Sequence, residues 1–89
     1  MTELDVTIIN KLGLHARAAA KFVTLASAFD SNIEITRNGK TVNGKSIMGV
    51  MMLAASKGTQ ITLHANGSDE SRALDELEAL IKDRFGEDE

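Results

Sequence analysis

The apolar residues of this chain switch between two spacings, and few folds can satisfy both within 89 residues. An apolar residue at every second position is typical of a strand with one buried face, and it occurs in three segments: 4–9, 33–36 and 61–65. Helical spacing occurs in three other segments: 16–29, 47–55 and 73–81. Asn38-Gly39 favours the positive φ angles of a tight hairpin turn, which predicts a further strand over residues 40–42. The predicted order is therefore βαββαβα.

The boundaries of the predicted helices are marked by particular residues. His15 lies directly before the first helix, Ser46 is an N-cap candidate for the second, and Gly58 is the expected terminator of the second. Three residues of the second helix are expected to face the core: Val50, Leu53 and Ala54. Gly86 and an acidic tail over residues 87–89 follow the third helix.

Four short strands, each apolar on one face, need a cover that three helices can supply from a single side. This predicts an α+β fold, an open-faced two-layer sandwich in which a four-stranded antiparallel sheet is covered on one face by three helices. The other face is left to water, and four of its residues are expected to be Thr7, Glu34, Thr36 and Thr62. The length suits one domain over residues 1–89.

Charge and composition disfavour several classes of partner. Ten basic and thirteen acidic residues give a net charge of −3, which supplies no basic field for nucleic acid or for anionic lipid. No segment approaches the roughly 20 apolar residues of a membrane span, and the N-terminus does not resemble a secretory signal. Cysteine is absent, so no disulfide is available. We expect a cytoplasmic protein that contacts neither nucleic acid nor membrane.

His15 is one of two histidines, and its position before a helix gives it a special environment. The first helical turn has backbone N–H groups without intrahelical acceptors and carries the positive end of the helix dipole, so it binds anions. A phosphoryl group on the His15 ring would meet these donors, and Arg17 adds a permanent cation able to contact two phosphate oxygens. His15 as nucleophile and Arg17 as phosphate stabiliser are therefore candidates for phosphoryl transfer.

Simpler interpretations remain open for these residues. A histidine before a helix is often only a polar cap, and His64 is expected to be a solvent-facing residue of a strand. Ser46 needs no role beyond capping, although a phosphate on it would place a charge of about −2 at a helix N-terminus, where the fold tolerates it. No metal-binding, phosphate-loop or hydrolase motif is present, so we expect no metal and no cofactor.

Two surfaces could receive a partner. The second helix is apolar all round, so some of its large side chains are expected to form an exposed patch: Ile47, Met48, Met51 and Met52. A thin core that buries most of them is the alternative. The first helix has a face of small residues that would let a partner helix approach closely: Ala16, Ala20, Thr24 and Ser27.

Two motifs resemble those of HPr, the histidine-containing phosphocarrier family of the bacterial phosphoenolpyruvate-dependent sugar phosphotransferase system. They are Gly-Leu-His-Ala-Arg over residues 13–17 and Val-Asn-Gly-Lys-Ser-Ile-Met-Gly over residues 42–49, at the spacing of the family. The βαββαβα order matches across essentially the whole chain. One residue departs from the pattern, because the family usually has proline where Ala18 stands, and alanine keeps a backbone N–H that proline lacks.

The resemblance implies a phosphoryl carrier rather than an enzyme. It implies that enzyme I phosphorylates Nδ1 of His15 and that enzyme IIA proteins or domains receive the group. It also implies that an HPr kinase/phosphorylase, where present, phosphorylates Ser46, and that the first two helices form the docking surface, including Met48 and Met51. We expect a monomer. Two alternatives are a carrier in a regulatory phosphorelay without sugar transport, and a binding module controlled by Ser46 in which His15 is unused.

Overall fold

The computed structural model describes residues 1–89 and contains the predicted elements in the predicted order. The four strands are β1 (Thr2–Thr7), β2 (Asn32–Arg37), β3 (Lys40–Asn43) and β4 (Gln60–Asn66). The three helices are α1 (Ala16–Ala26), α2 (Ile47–Met52) and α3 (Glu70–Lys82), and a 3₁₀ turn (Arg84–Gly86) follows α3. No helix combines the length and the apolar character that crossing a bilayer requires.

The strands form one antiparallel sheet in the spatial order β1-β4-β2-β3. Leu63 of β4 lies at its centre, paired with Leu4 on one side and with Ile35 on the other. The apolar strand residues that point toward the helices are buried, except for Leu4 and Val42 of the edge strands, which are half-buried. On the opposite face Thr7 and Glu34 are exposed, and Thr36 and Thr62 are half-buried. The α+β open-faced sandwich predicted from the sequence is therefore confirmed.

A single hydrophobic cluster joins the sheet to all three helices and to the 3₁₀ turn. Its largest fully buried side chains are Phe22 of α1 and Phe85 of the turn. Burial of a side chain of this size contributes about 2–3 kcal/mol to folding, so Phe85 fixes the chain that follows α3 against the core. The residues after Phe85 consequently have a defined position instead of extending freely into solvent.

The structure corrects the end of the second helix. This helix ends at Met52 rather than residue 55, and Ala54 has a left-handed backbone with φ of 52°. That conformation reverses the chain, so Ala54 is exposed and Ala55 is buried in its place, while Val50 and Leu53 are buried as predicted. The prediction that Gly58 ends the helix was wrong, because the helix ends at Met52, six residues earlier.

A similar shortening affects the first helix, which ends at Ala26 rather than at residue 29. The three following residues form turns, yet Phe29 still reaches the core as its position in the helical pattern predicted.

On the sheet, His64 lies on the face opposite the helices, with Nε2 2.9 Å from Thr36 Oγ1 and Nδ1 3.1 Å from Glu3 Oε2. Both ring nitrogens of His64 are thus occupied within the sheet.

Candidate functional site

His15 is the N-cap residue of α1, with an extended backbone (φ −73°, ψ 178°). Its carbonyl accepts the N–H of Ala19 at 2.8 Å, while its side chain makes no capping bond. The N–H groups of residues 16–18 have no acceptor in the protein. The imidazole, 28% exposed, therefore lies beside the positive end of a helix with three unused donors.

The loop that precedes His15 is held from two sides. Leu14 is buried, and its N–H donates to the carbonyl of Ala55 at 2.9 Å. Asn10, also buried, donates from Nδ2 to the carbonyl of Gly13 at 2.9 Å, and its backbone carbonyl accepts the Gly13 N–H at 3.2 Å. These contacts fix the backbone from which the His15 ring projects.

Glu87 contacts the His15 ring directly. Its Oε2 lies 2.5 Å from Nε2 of His15, and its Oε1 accepts a hydrogen bond from Nδ2 of Asn10 at 3.0 Å. The Asn10 hydrogen bond, followed by the His15 contact, lowers the pKa of Glu87, with a smaller contribution from the Arg17 charge. Glu87 is consequently an ionised carboxylate at neutral pH, and it occupies one of the two ring nitrogens of His15.

Arg17 is exposed and lines the same shallow depression as His15 and Glu87. The predicted nucleophile and the predicted phosphate-binding cation are thus brought together, with the guanidinium free to turn toward an incoming anion. Ala18, which follows, is fully buried, and its N–H is one of the unused donors. No cluster of His, Asp and Glu side chains in the chain could hold a metal ion.

Ser46 lies at the start of a different helix, as the N-cap of α2. Its Oγ accepts the N–H of Gly49 at 3.1 Å, so the hydroxyl already has a structural partner.

The large side chains of α2 form an exposed apolar patch: Ile47, Met48, Met51 and Met52, with Met48 72% exposed. On α1, Ala16 and Thr24 are exposed and Ala20 is half-buried, and α1 packs beside α2.

Sequence reasoning missed Glu87 and Asn10. From the sequence, the residues after Gly86 are only an acidic tail, and Asn10 belongs to none of the predicted strands, helices or motifs. The available signal was Phe85, a large apolar residue beyond the last helix, which indicated that the chain returns to the core. Nothing local could have paired residue 87 with residue 15, because this contact joins opposite ends of the sequence.

Comparison with known proteins gives a consistent result. The family model described as "PTS HPr component phosphorylation site" matches residues 2–83. Phosphocarrier protein HPr of Cupriavidus necator is 58% identical over 89 residues, which cover all of both chains. Among solved structures, HPr-C-His from Thermoanaerobacter tengcongensis superposes with a TM-score of 0.96 at 48% identity, with both chains fully covered. An HPr dimer from the same organism gives a TM-score of 0.79 at 49% identity, covering 98% of this chain and 100% of the other.

The resemblance drawn from residues 13–17 and 42–49 is therefore confirmed over the full length of the sequence. The chain belongs to the HPr family, the bacterial phosphocarrier proteins that carry a phosphoryl group as phosphohistidine in the phosphotransferase system.

Proposed function

We propose that His15 is the residue that accepts the phosphoryl group and that Arg17 stabilises it. The observation that carries this proposal is the position of His15 as the N-cap of α1, beside three backbone N–H groups without acceptors. His64, the other histidine, has both ring nitrogens engaged on the sheet. His15 is thus the histidine whose surroundings suit a covalently attached anion.

The transfer needs little more than positioning and charge stabilisation. A ring nitrogen of His15 attacks the phosphorus atom in line with the departing group of the donor, and the helix N–H groups and Arg17 receive the charge on the phosphoryl oxygens. The half-buried imidazole lies in a shallow depression rather than a closed pocket. Such a site suits a carrier whose partners supply the rest of the active site, and we classify the protein as a phosphoryl carrier rather than an enzyme.

The proposed donor is enzyme I, and the proposed recipients are enzyme IIA proteins or domains. Both would dock on an apolar surface made by α1 and α2, here called the docking surface: Ala16, Ala20, Thr24, Ile47, Met48 and Met51. Flexible methionine side chains suit a surface that binds several partners in turn. We propose that the chain acts in the cytoplasm as a single domain and as a monomer. Its molar mass in solution tests the oligomeric state, because an HPr of known structure is a dimer.

Ser46 is the proposed regulatory position, phosphorylated by an HPr kinase/phosphorylase. Its hydroxyl is half-buried at the N-terminus of α2 and adjoins Ile47 and Met48 of the docking surface. A phosphate there would add negative charge next to apolar side chains that a partner must cover. Family membership favours the carrier function over a binding module in which His15 is unused.

The test uses enzyme I and phosphoenolpyruvate labelled with ³²P. We expect acid-labile, base-stable label on the wild-type protein and on His64→Ala, and no label on His15→Ala, with all three proteins equally folded by circular dichroism. His64→Ala is the matched control, since it removes the other imidazole. Normal labelling of a folded His15→Ala protein would refute the assignment.

A further inference from the structure

Glu87 reaches His15 because the chain turns back sharply after α3. Arg84 and Phe85 both have left-handed backbones with φ of 55°, a conformation that non-glycine residues rarely adopt. Two contacts hold this turn in place: the buried Phe85 ring and a hydrogen bond of 2.6 Å from Lys21 Nζ to the Phe85 carbonyl. The conformational cost of the turn, about 1–2 kcal/mol per residue, is offset by core packing. Glu87 is thereby held against the N-terminus of α1.

Both oxygens of the Glu87 carboxylate have fixed partners. Oε1 is held by the amide of the buried Asn10, and Oε2 lies against Nε2 of His15. The Glu87 side chain is only 14% exposed, so water competes weakly for the contact. Nδ1 of His15, in contrast, has no hydrogen-bond partner in the protein. The two nitrogens of one ring therefore have different environments.

We propose that Glu87 is a positioning residue for phosphoryl transfer: by accepting the Nε2–H of His15, it leaves the lone pair on Nδ1 as the nucleophile and fixes the direction of the ring. An ionised carboxylate can only accept hydrogen bonds, so the ring nitrogen facing it must carry the proton. In the neutral imidazole the other nitrogen is then unprotonated. The inference deepens the proposed function and depends on it, because it names the residue that prepares His15.

With Nε2 hydrogen-bonded to Glu87, the ring keeps the same proton throughout the transfer. When Nδ1 attacks, an N–P bond forms from its lone pair, the bond from phosphorus to the donor breaks, and the donor keeps that electron pair. The proton stays on Nε2, so the product is an N-phosphoimidazolium whose ring charge faces the Glu87 carboxylate. In the reverse direction the recipient attacks phosphorus, and the electron pair of the N–P bond returns to Nδ1. No proton needs to move in either direction.

The paired carboxylate also assists donation of the group. Nδ1 is a better leaving group while Nε2 remains protonated, because cleavage then releases a neutral imidazole rather than an imidazolate. A hydrogen bond from Nε2–H to a carboxylate keeps that proton in place. Glu87 contacts Nε2, whereas the phosphoryl group would be attached to Nδ1, the other nitrogen of the ring. One carboxylate thereby supports both acceptance and donation without contacting the phosphoryl group.

The experiment compares the wild type with Glu87→Ala, Glu87→Gln and a matched control, Glu89→Ala. Glu89 is an acidic residue of the same tail, but its carboxylate pairs with the exposed Lys11 at 3.5 Å and not with His15. Imidazole ¹⁵N spectra at pH 8.5, where an ordinary histidine is neutral, give the tautomer of His15. We expect an essentially pure Nε2–H form with an observable, hydrogen-bonded proton in the wild type and in Glu89→Ala. Glu87→Ala should show both tautomers and no such proton.

Transfer from phosphorylated enzyme I, measured against carrier concentration, provides the second readout. Glu87→Ala should lower the maximal rate by roughly tenfold, since a misdirected nucleophile reacts slowly, while the half-saturating concentration stays nearly constant. Glu87→Gln, whose amide oxygen can still accept from Nε2–H, should recover part of the rate. Equal spectra and rates for Glu87→Ala and wild type would overturn the inference, as would faster transfer by Glu87→Ala. A loss of rate in Glu89→Ala equal to that in Glu87→Ala would also overturn it. Failure of the wild type to take phosphate would instead refute the proposed function.

Discussion

Gly13 and Ala55 approach so closely that a Cβ atom on Gly13 would lie 2.4 Å from the Ala55 carbonyl oxygen. The same carbonyl accepts the N–H of Leu14, and Gly13 itself has a φ of +68°. A side chain at position 13 would therefore be strained and would also push apart two backbone segments. The loop that presents His15 is in this way joined to the segment that follows α2.

Gly13→Ala should destabilise the protein more than Gly58→Ala, the matched control. Gly58 also has a positive φ, +89°, but no atom lies within 4 Å of a Cβ built there. Gly58→Ala should thus cost only the left-handed strain, about 1–2 kcal/mol, whereas Gly13→Ala adds the collision with Ala55. Urea unfolding measures both variants, and equal losses would contradict the role assigned to the close approach. A lower rate of phosphoryl transfer to folded Gly13→Ala would show that the loop also positions His15.

The order of strands and helices, the open sheet and the position of His15 could be predicted from the sequence. Each depends on local information: the apolar spacing, the Asn38-Gly39 turn and the capping preferences of residues near a helix start. Even the burial of Val50 and Leu53 followed from helical spacing.

The end of α2 and the Glu87 contact could not be predicted in this way. Ala54 adopts a left-handed φ although alanine has no local preference for it, because the hydrogen bond from Arg37 Nη1 to the Leu53 carbonyl, at 2.7 Å, satisfies the helix end from a distant strand. The Glu87 contact likewise requires Phe85 to be anchored in the core first. Both features are imposed by tertiary packing on residues whose own preferences oppose them.

Arg17→Ala should slow transfer without preventing it. The guanidinium is exposed and contributes charge, but the N–H groups of the exposed residues 16 and 17 remain as phosphate donors. We expect a loss of roughly tenfold to a hundredfold in the rate of phosphorylation by enzyme I, with normal folding. Arg17→Lys should recover only part of the rate, since an ammonium keeps the charge but lacks the planar fork. Complete loss in a folded Arg17→Ala protein would mean that the helix donors are insufficient alone.

Asp69 should make stability dependent on acid pH. Its carboxylate accepts the hydroxyl of the buried Ser31 at 2.5 Å and the N–H groups of Asp30 and Ser31 at 2.9 and 3.0 Å. These bonds, led by the Ser31 hydroxyl, lower the pKa of Asp69 from 3.8 to about 2. The folded state thus favours the ionised form of Asp69. The stability that this carboxylate contributes is therefore fully present above pH 4 and is lost as the pH falls toward 2.

Asp69→Asn should consequently melt below the wild type at pH 7, and the difference in Tm should shrink as the pH is lowered from 4 to 2. Asp75→Asn is the control, because it removes the same charge from an exposed carboxylate of α3 that makes no such contacts. It should follow the wild type across the range. A difference for Asp69→Asn that stays constant down to pH 2 would assign its effect to packing rather than to ionisation.

Ser46 combines a capping role with a position beside the docking surface, and two substitutions separate these roles. Ser46→Ala removes the acceptor for the Gly49 N–H and should cost about 1 kcal/mol of stability while transfer from enzyme I stays nearly normal. Ser46→Asp still caps α2, and its charge favours the helix N-terminus, so its melting temperature should be unchanged or slightly raised.

The same Ser46→Asp substitution should slow phosphorylation of His15, because a partner covering Ile47 and Met48 would have to desolvate the new carboxylate. The loss should appear at subsaturating carrier concentration and diminish at saturation, since docking rather than chemistry is weakened. The measurement is the transfer rate from enzyme I against carrier concentration, with a melting curve for each variant. Phosphoserine carries a charge of about −2 and should have the larger effect in the same direction. If Ser46→Asp matches the wild type at subsaturating concentration, Ser46 serves α2 only as its cap, or its phosphorylation acts on a partner other than enzyme I.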